Sequence, residues 1–524
     1  MKRMVWILCV LLAGSLLAIP VGAGPATGGA VVYPVVADPT FNPWHPRAFV
    51  ESVFPNRVIY NGLTKPGKNL QPAPDLAERW DISADGLTWT FFLRRNVRWH
   101  DGREFTADDV KFTYDIALNP QLGAGGAATF RASVKEVQVV DKYTVRFVLA
   151  MPTASLAAFT GTNAGIIPKH AFEGVTDPWV HDAFNKRNPV GTGAYRVREY
   201  VPGSHVTLAR NENYFLGRPS VDTVTFKVLP DANTQIAQLI SGELTLIMVD
   251  NPASVRAIQG RADVEISTIP QTNFYWLAAN YRNPIFRDKR VRQAMLYALD
   301  RRAMINGFLQ GFAREATGII SPALPFYYKS EVKSYEFDRA RARQLLAAAG
   351  WRAGADGVLA KDGQRLAFAL TFPRVQYFEQ LAALVQQYYR AIGIEVTLDG
   401  LEFNQFVSQR LLPRKFEVMA GWWITPGDPD FYNYIHSSAA ERGFNIPMYS
   451  NPDMDKLLEQ GRSFSDPARR ARVYGEFQDL VAEELPYIYL WWPFEIRAIN
   501  RRLGGVPRLG LRDAFQYTHE WTMR

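Results

Sequence analysis

Two carboxylate pairs, Asp108-Asp109 and Asp428/Asp430, are of the residue type that does general acid–base work across a scissile bond. Sequence alone does not place them on either side of such a bond, and the companions of catalysis are missing. The chain has no Gly-x-Ser-x-Gly elbow, no His-Glu-x-x-His zinc motif and no Gly-Lys-Ser/Thr phosphate loop. Gly123-Ala124-Gly125-Gly126 lacks a lysine and reads as a flexible loop. The seven histidines stand singly, none at metal-ligand spacing to another. His100, in Trp-His-Asp-Gly, reads as a structural turn residue. His436 reads as capped or solvent-facing, with a ligand role the alternative. Gly191-Thr192-Gly193 lacks the third glycine of a dinucleotide loop and leads into strand-like Tyr195-Arg196-Val197, so that chemistry is excluded. No metal site and no cofactor is expected.

Binding chemistry is better represented. The segment from Gly421 to Tyr432 reads Gly-Trp-Trp-Ile-Thr-Pro-Gly-Asp-Pro-Asp-Phe-Tyr, putting Trp422, Trp423, Thr425, Asp428 and Tyr432 within a short stretch. Neighbours on a strand face opposite ways, so one tryptophan can line a cleft while the other enters the core; both in the core is the alternative. Phe274-Tyr275-Trp276 offers Tyr275 to a cleft or to packing. Arg442 and Asn445 follow in a loop, where they can hold a ligand carboxylate or backbone, or simply face solvent.

The elements that must position these residues are legible. Leu87, Trp89, Phe91 and Leu93 alternate as in a half-buried strand. Asp85-Gly86 makes a hairpin with Trp80 and Ile82 returning. A second hairpin joins Val137-Val139 to Tyr143-Leu149 through Asp141-Lys142. Val31 to Val36 reads as a first strand. Thr106 with Asp109 predicts a capping box; Asp231 predicts a helix start, with Gly242 its stop. Asp466-Pro467 is a cap followed by proline at the first helical position. Tyr377, Leu381, Leu384, Val385, Tyr388 and Ile392 form a helical stripe. Gly393 ends it, and Ile394 to Leu398 reads as a strand: one α/β unit.

At 524 residues the chain exceeds one ordinary core, so two or three domains are expected. Hydrophobic content of 47% against 21% charged excludes a disordered chain. Met1-Lys2-Arg3, an apolar run from Val5 to Ile19 and small or β-branched residues at Val21-Gly22-Ala23 predict a signal peptide over 1–23, cleaved after Ala23; an uncleaved anchor is the alternative. Cys9, the only cysteine, follows Leu8 inside that run. It makes no lipobox, and the mature chain is left without a thiol. Cleavage removes Lys2 and Arg3 and takes the formal charge from +8 to +6. The densest basic run, 287–302, lies on a helical pattern and reads as a solvated face, so no nucleic acid partner is expected.

Several ordered segments carry a family likeness. Asp85-Gly86-Leu87-Thr88-Trp89 runs on to Trp99-His100-Asp101-Gly102 and Phe105-Thr106-Ala107-Asp108-Asp109-Val110. Then come Pro189-Val190-Gly191-Thr192-Gly193-Ala194-Tyr195, Arg210-Asn211-Glu212-Asn213-Tyr214, Arg292-Gln293-Ala294-Met295 and Tyr449-Ser450-Asn451-Pro452. In this order they resemble the family 5 extracellular solute-binding proteins, which serve ABC importers for oligopeptides, dipeptides and nickel. The likeness covers nearly the whole mature chain.

It implies an α/β, two-lobed periplasmic binding protein with crossing strands and an extra subdomain in the N-terminal lobe. Lobe I would take 24–55, 189–270 and 490–524, the subdomain 56–188 and lobe II 271–489. Gly191, Thr192 and Gly193 would lie where the chain crosses between lobes, plain turn chemistry being the alternative. The expected role is capture of a peptide-like solute by a monomer in the periplasm and delivery to an inner-membrane ABC permease with its ATPase. In peptide-binding relatives an aspartate three residues after a cleft tryptophan pairs with the peptide ammonium. Aligning Trp422 with that tryptophan puts Thr425 there instead. Asp428 or Asp430 can replace it, or the ligand lacks a free amino terminus, or it is an oligosaccharide, opine or metal chelate. A secreted hydrolase, with tryptophans stacking on sugar, is the rival class.

Overall fold

A computed structural model describes residues 28–524 except 47, 49, 163, 164, 376, 426 and 442. The expected signal peptide and Cys9 lie outside the described residues.

Two four-stranded sheets frame the first body. In one, Ala30–Val35 runs parallel to Thr223–Val228, which continues antiparallel to His205–Arg210 and then Tyr195–Val201. The other is antiparallel, in the order Ala77–Ile82, Thr88–Leu93, Thr144–Leu149, Val134–Asp141. The first hairpin pairs Ile82 with Trp89 and Trp80 with Phe91, and Gly86 takes a φ of 70° at its turn. Trp89, Phe91 and Leu93 enter the core while their neighbours stay half-buried, as the alternation requires. Beside this sheet lies the helix Ala107–Leu118. The Asp109 carboxylate accepts the Thr106 amide at its start, along with the Lys169 amide and the Trp99 indole.

Six strands form the backbone of the second sheet system, in the order Leu246–Met248, Ile488–Asn500, Phe274–Ala279, Val418–Trp423, Ala367–Pro373, Glu395–Leu401. Ala367–Pro373 and Glu395–Leu401 are parallel, joined by the helix Phe378–Arg390. Phe378, Leu381, Val385 and Tyr389 are its buried face, and Gly393 ends the unit at a φ of 86°. At the other caps, Asp231 accepts the Thr234 amide and Asp466 the Arg469 amide.

The 13-residue strand Ile488–Asn500 ties the bodies together. Its end from Phe494 to Asn500 pairs with Val264–Pro270, and Ile488 to Trp491 pairs with Phe274–Ala279. Two neighbouring antiparallel strands therefore pass from one body to the other near 270–274 and 491–494. Separate hydrophobic cores lie on either side, one drawn from residues 274–492 and one centred on the two N-terminal sheets.

Gly191, Thr192 and Gly193 stand away from that crossing. They pack on the end of the helix Val50–Ile59, where the Gly193 amide donates to the Ile59 carbonyl. A side chain at Gly191 would overlap the Ile59 carbonyl and one at Gly193 those of Val58 and Ile59, so close backbone approach accounts for the motif. His100 clamps the loop, its Nε2 on the Gly193 carbonyl at 3.0 Å and its Nδ1 on the Gly191 amide at 3.2 Å. Both contacts fit one neutral tautomer.

Candidate functional site

A cavity of about 360 Å³ lies between the bodies at the crossing. Lys65, Met248, Asp250, Glu495 and Arg512 line it from the first body; Tyr275, Tyr377, Ile424 and Thr425 line it from the second. Pro270 to Asn273 and Pro493 close it at the crossing strands.

Strand geometry selects Tyr275. Phe274 and Trp276 on either side are buried in the core, so the alternation turns Tyr275 to the cavity. Its ring is stacked at 5.7 Å from Trp491, 5.9 Å from Phe378 and 6.3 Å from Trp422. Thr425 also lines the cavity, but its hydroxyl donates to the Thr272 carbonyl at 2.7 Å. The Thr272 hydroxyl returns a bond to the Thr425 carbonyl at 2.9 Å. The threonine thus staples the strand end to the crossing segment.

Trp422 and Trp423 belong to an adjoining apolar pocket of about 300 Å³, shared with Trp276, Phe403, Tyr434 and Phe444. Ile424 lines both spaces. Gly421 admits the Trp276 ring, which a Cβ would meet at 2.7 Å.

Other expected residues have partners elsewhere. Buried Asp428 takes two hydrogen bonds from buried Arg470, at 2.8 and 2.9 Å. The carboxylate holds that guanidinium charged against its burial. Asp430 accepts from Arg462 Nε at 3.0 Å and from the Ser155 hydroxyl at 2.9 Å. Tyr432 stacks on His436 at 3.9 Å, with the Arg462 guanidinium 4.2 Å from its ring centre. His436 itself bonds Ser438 and Glu459. The Asn445 side chain is fully buried on the carbonyls of Ile435, His436 and Tyr449 and the amide of Tyr449. None of Asp428, Tyr432 and Asn445 lines the cavity: each organises the loops behind it. Arg442 lies outside the described residues.

The cavity's own charges were missed in the sequence. Asp250 follows the short apolar strand Leu246–Met248, a position that could have marked it as the end of a strand facing a cleft. Solvent in the cavity reaches its carboxylate, yet the surrounding protein raises the group above its ordinary value by desolvation. Glu495 is held by Arg497 at 2.7 Å, and Asp513 lies 3.7 Å from Arg57. Lys65 is buried with its ammonium 4.5 Å from the Tyr517 ring centre, and desolvation lowers its basicity. Among the described residues no cluster of three or more His, Cys, Asp or Glu could hold a metal ion, and no helix is long and apolar enough to cross a membrane.

A family model described as bacterial extracellular solute-binding proteins, family 5 middle, matches residues 71–444. The oligopeptide-binding protein AppA of Bacillus subtilis (strain 168) is 32% identical over 504 residues, covering 95% of this chain and 92% of that protein. Its structure in complex with a nonapeptide superposes with a TM-score of 0.76 at 31% identity, over 96% of this chain and all of the other. The dipeptide-binding protein of Escherichia coli (strain K12) is 27% identical, with 85% and 87% of the two chains covered. NikZ of Campylobacter jejuni, in complex with Ni(L-His), gives a TM-score of 0.74 at 26% identity, over 94% and 99%.

Proposed function

The chain belongs to the bacterial extracellular solute-binding proteins of family 5, and on that premise we propose that its two lobes close on a peptide-like solute and present it to an ABC permease. The observation that carries this reading is the cavity at the strand crossing, walled from both bodies, so that a solute seated there is held only when the lobes meet. The size of the space is that of a small-molecule or short-peptide site.

We assign Tyr275 and Thr425 to its ligand-facing wall and Trp422 and Trp423 to the adjoining apolar pocket. Asp428, Tyr432 and Asn445 support the loops behind. The separate cores favour lobe I as 24–55, 189–270 and 490–524, its subdomain as 56–188 and lobe II as 271–489. The protein acts as a periplasmic monomer after cleavage of 1–23, delivers to a permease and its ATPase, and performs no chemistry on the solute. A non-peptide solute such as an opine, oligosaccharide or metal chelate is the second reading, favoured by the commitment of the Thr425 hydroxyl to Thr272.

Solution scattering with thermal denaturation tests the proposal. Peptide at a hundred times its Kd adds about 2.7 kcal/mol, on the order of two degrees for a chain this long, and the radius of gyration falls. Stabilisation by opines, sugars or nickel chelates alone would discard the peptide; no compaction with any solute would discard capture between lobes.

A further inference from the structure

Two opposite charges face the cavity without an ion partner. Asp250 forms no hydrogen bond or ion pair among the described residues; it is exposed to the solvent of the cavity, while the protein around it raises its carboxyl by desolvation. The other acids of the cavity wall, Glu495 and Asp513, have arginines beside them. The two acids near the tryptophan pair, Asp428 and Asp430, are consumed by Arg470 and by Arg462 with Ser155. Lys65 likewise forms no ion pair among the described residues. Its ammonium rests over the Tyr517 ring, which is fixed by a 2.8 Å bond from its hydroxyl to the Pro66 carbonyl. The carboxylates that influence Lys65 are Asp75 and Glu520, not Asp250. Asp75 is occupied by Asn61 and Glu520 by Lys68.

Lys65 is buried, and a solute that fills the cavity displaces the solvent at Asp250; a charge left with neither water nor partner is unfavourable, and a ligand that brings the opposite charge relieves it. The excess is greatest when the lobes meet and water leaves. A ligand carrying a cation and an anion at separate ends satisfies both groups at once, and the neutral, committed hydroxyl of Thr425 can satisfy neither.

We propose that Asp250 receives the ammonium terminus of the bound peptide and Lys65 its carboxylate terminus, so that the cavity selects short peptides with both ends free. This assignment rests on the peptide reading above. It places ammonium recognition on the first lobe, on the side of the cleft opposite Thr425.

Calorimetry tests it on ligand-stripped full-length mature protein, using tri- and tetrapeptides of Ala, Leu and Phe in free, N-acetylated and C-amidated forms. A lysine-containing N-acetylated set separates an α-ammonium from a side-chain ammonium. For the wild type, acetylation and amidation each weaken binding about tenfold or more. In Asp250→Asn the acetylation penalty shrinks to within about twofold while the amidation penalty stays; Lys65→Met does the reverse. Asp250→Glu, which keeps the charge, retains the acetylation penalty, and circular dichroism checks that each variant is folded. An acetylation penalty that survives in Asp250→Asn overturns the assignment, as does equal wild-type binding of free and acetylated peptides. Rescue of acetylated peptides by an internal lysine overturns the terminal assignment in favour of a side-chain cation. Failure of every peptide to bind the wild type overturns the peptide reading and this assignment with it.

Discussion

Asp428 and Asp250 are both acids near one cleft, and an arginine partner at the first with none among the described residues at the second gives them opposite roles. Asp428 is buried against a guanidinium that holds both its oxygens. Removing its charge leaves Arg470 buried beside Tyr327 and Tyr474 with nothing to balance it. Asp428→Asn is therefore expected to lose about 3–5 kcal/mol of stability. Urea denaturation would read this as a lower midpoint at unchanged slope. Peptide Kd, measured at a temperature where the variant is folded, should stay within about threefold of wild type, since the acid does not line the cavity. A variant of normal stability that no longer binds would return Asp428 to the ligand.

Elements here are set by local signals and locked by distant contacts. The loop Gly191 to Gly193 illustrates both: the glycines are required by the carbonyls of Val58 and Ile59, and His100 bonds the loop on two atoms. Burial lowers the His100 imidazole to about 4, and His519 behaves alike. Between that value and an ordinary histidine pKa near 6.5, the unfolded chain binds more protons than the folded one. Stability thus rises with pH through the window and is lost as pH falls from about 6.5 toward about 4. Asp75 opposes this: burial raises it to about 6, so the folded chain binds the extra proton below that pH. The His100 share is on the order of 2–3 kcal/mol after allowance for its partial exposure. Urea midpoints for His100→Gln between pH 6.5 and 4.5 should fall less steeply than those of wild type; identical slopes would mean that His100 is not held neutral.

At the scale of the whole molecule, the lobes meet along a second line beyond the cavity. Ser155 of the first body donates to Asp430 of the second, the Ala154 amide donates to the Arg462 carbonyl, and Arg462 Nη1 lies 3.5 Å from the Met151 sulfur. On the proposed closure, these contacts form only when the lobes are together and would bias the equilibrium toward the closed form. Arg462→Ala should raise the unliganded radius of gyration and weaken peptide binding by about threefold to tenfold, because ligand must then supply the closure free energy. Unchanged scattering and affinity in that variant would show that the contact carries no share of closing.

The sequence by itself determined the elements and the family likeness. Alternation at Trp89, Phe91 and Leu93, the caps at Asp231 and Asp466, and the stop at Gly393 act over a few residues, and so they can be read from neighbours. Tyr275 and Thr425 could be named in advance, but their orientation could not. Only the tertiary structure decided which charges are spent and which face the cleft. The partner of Asp428 lies 42 residues on, and Thr425 is tied to a residue 153 positions away. Asp250 is set apart by the lack of any such partner among the described residues, a property of the assembled cavity rather than of its neighbours in the chain. Charge pairing depends on distance in space, and chain folding sets that distance for residues far apart in sequence.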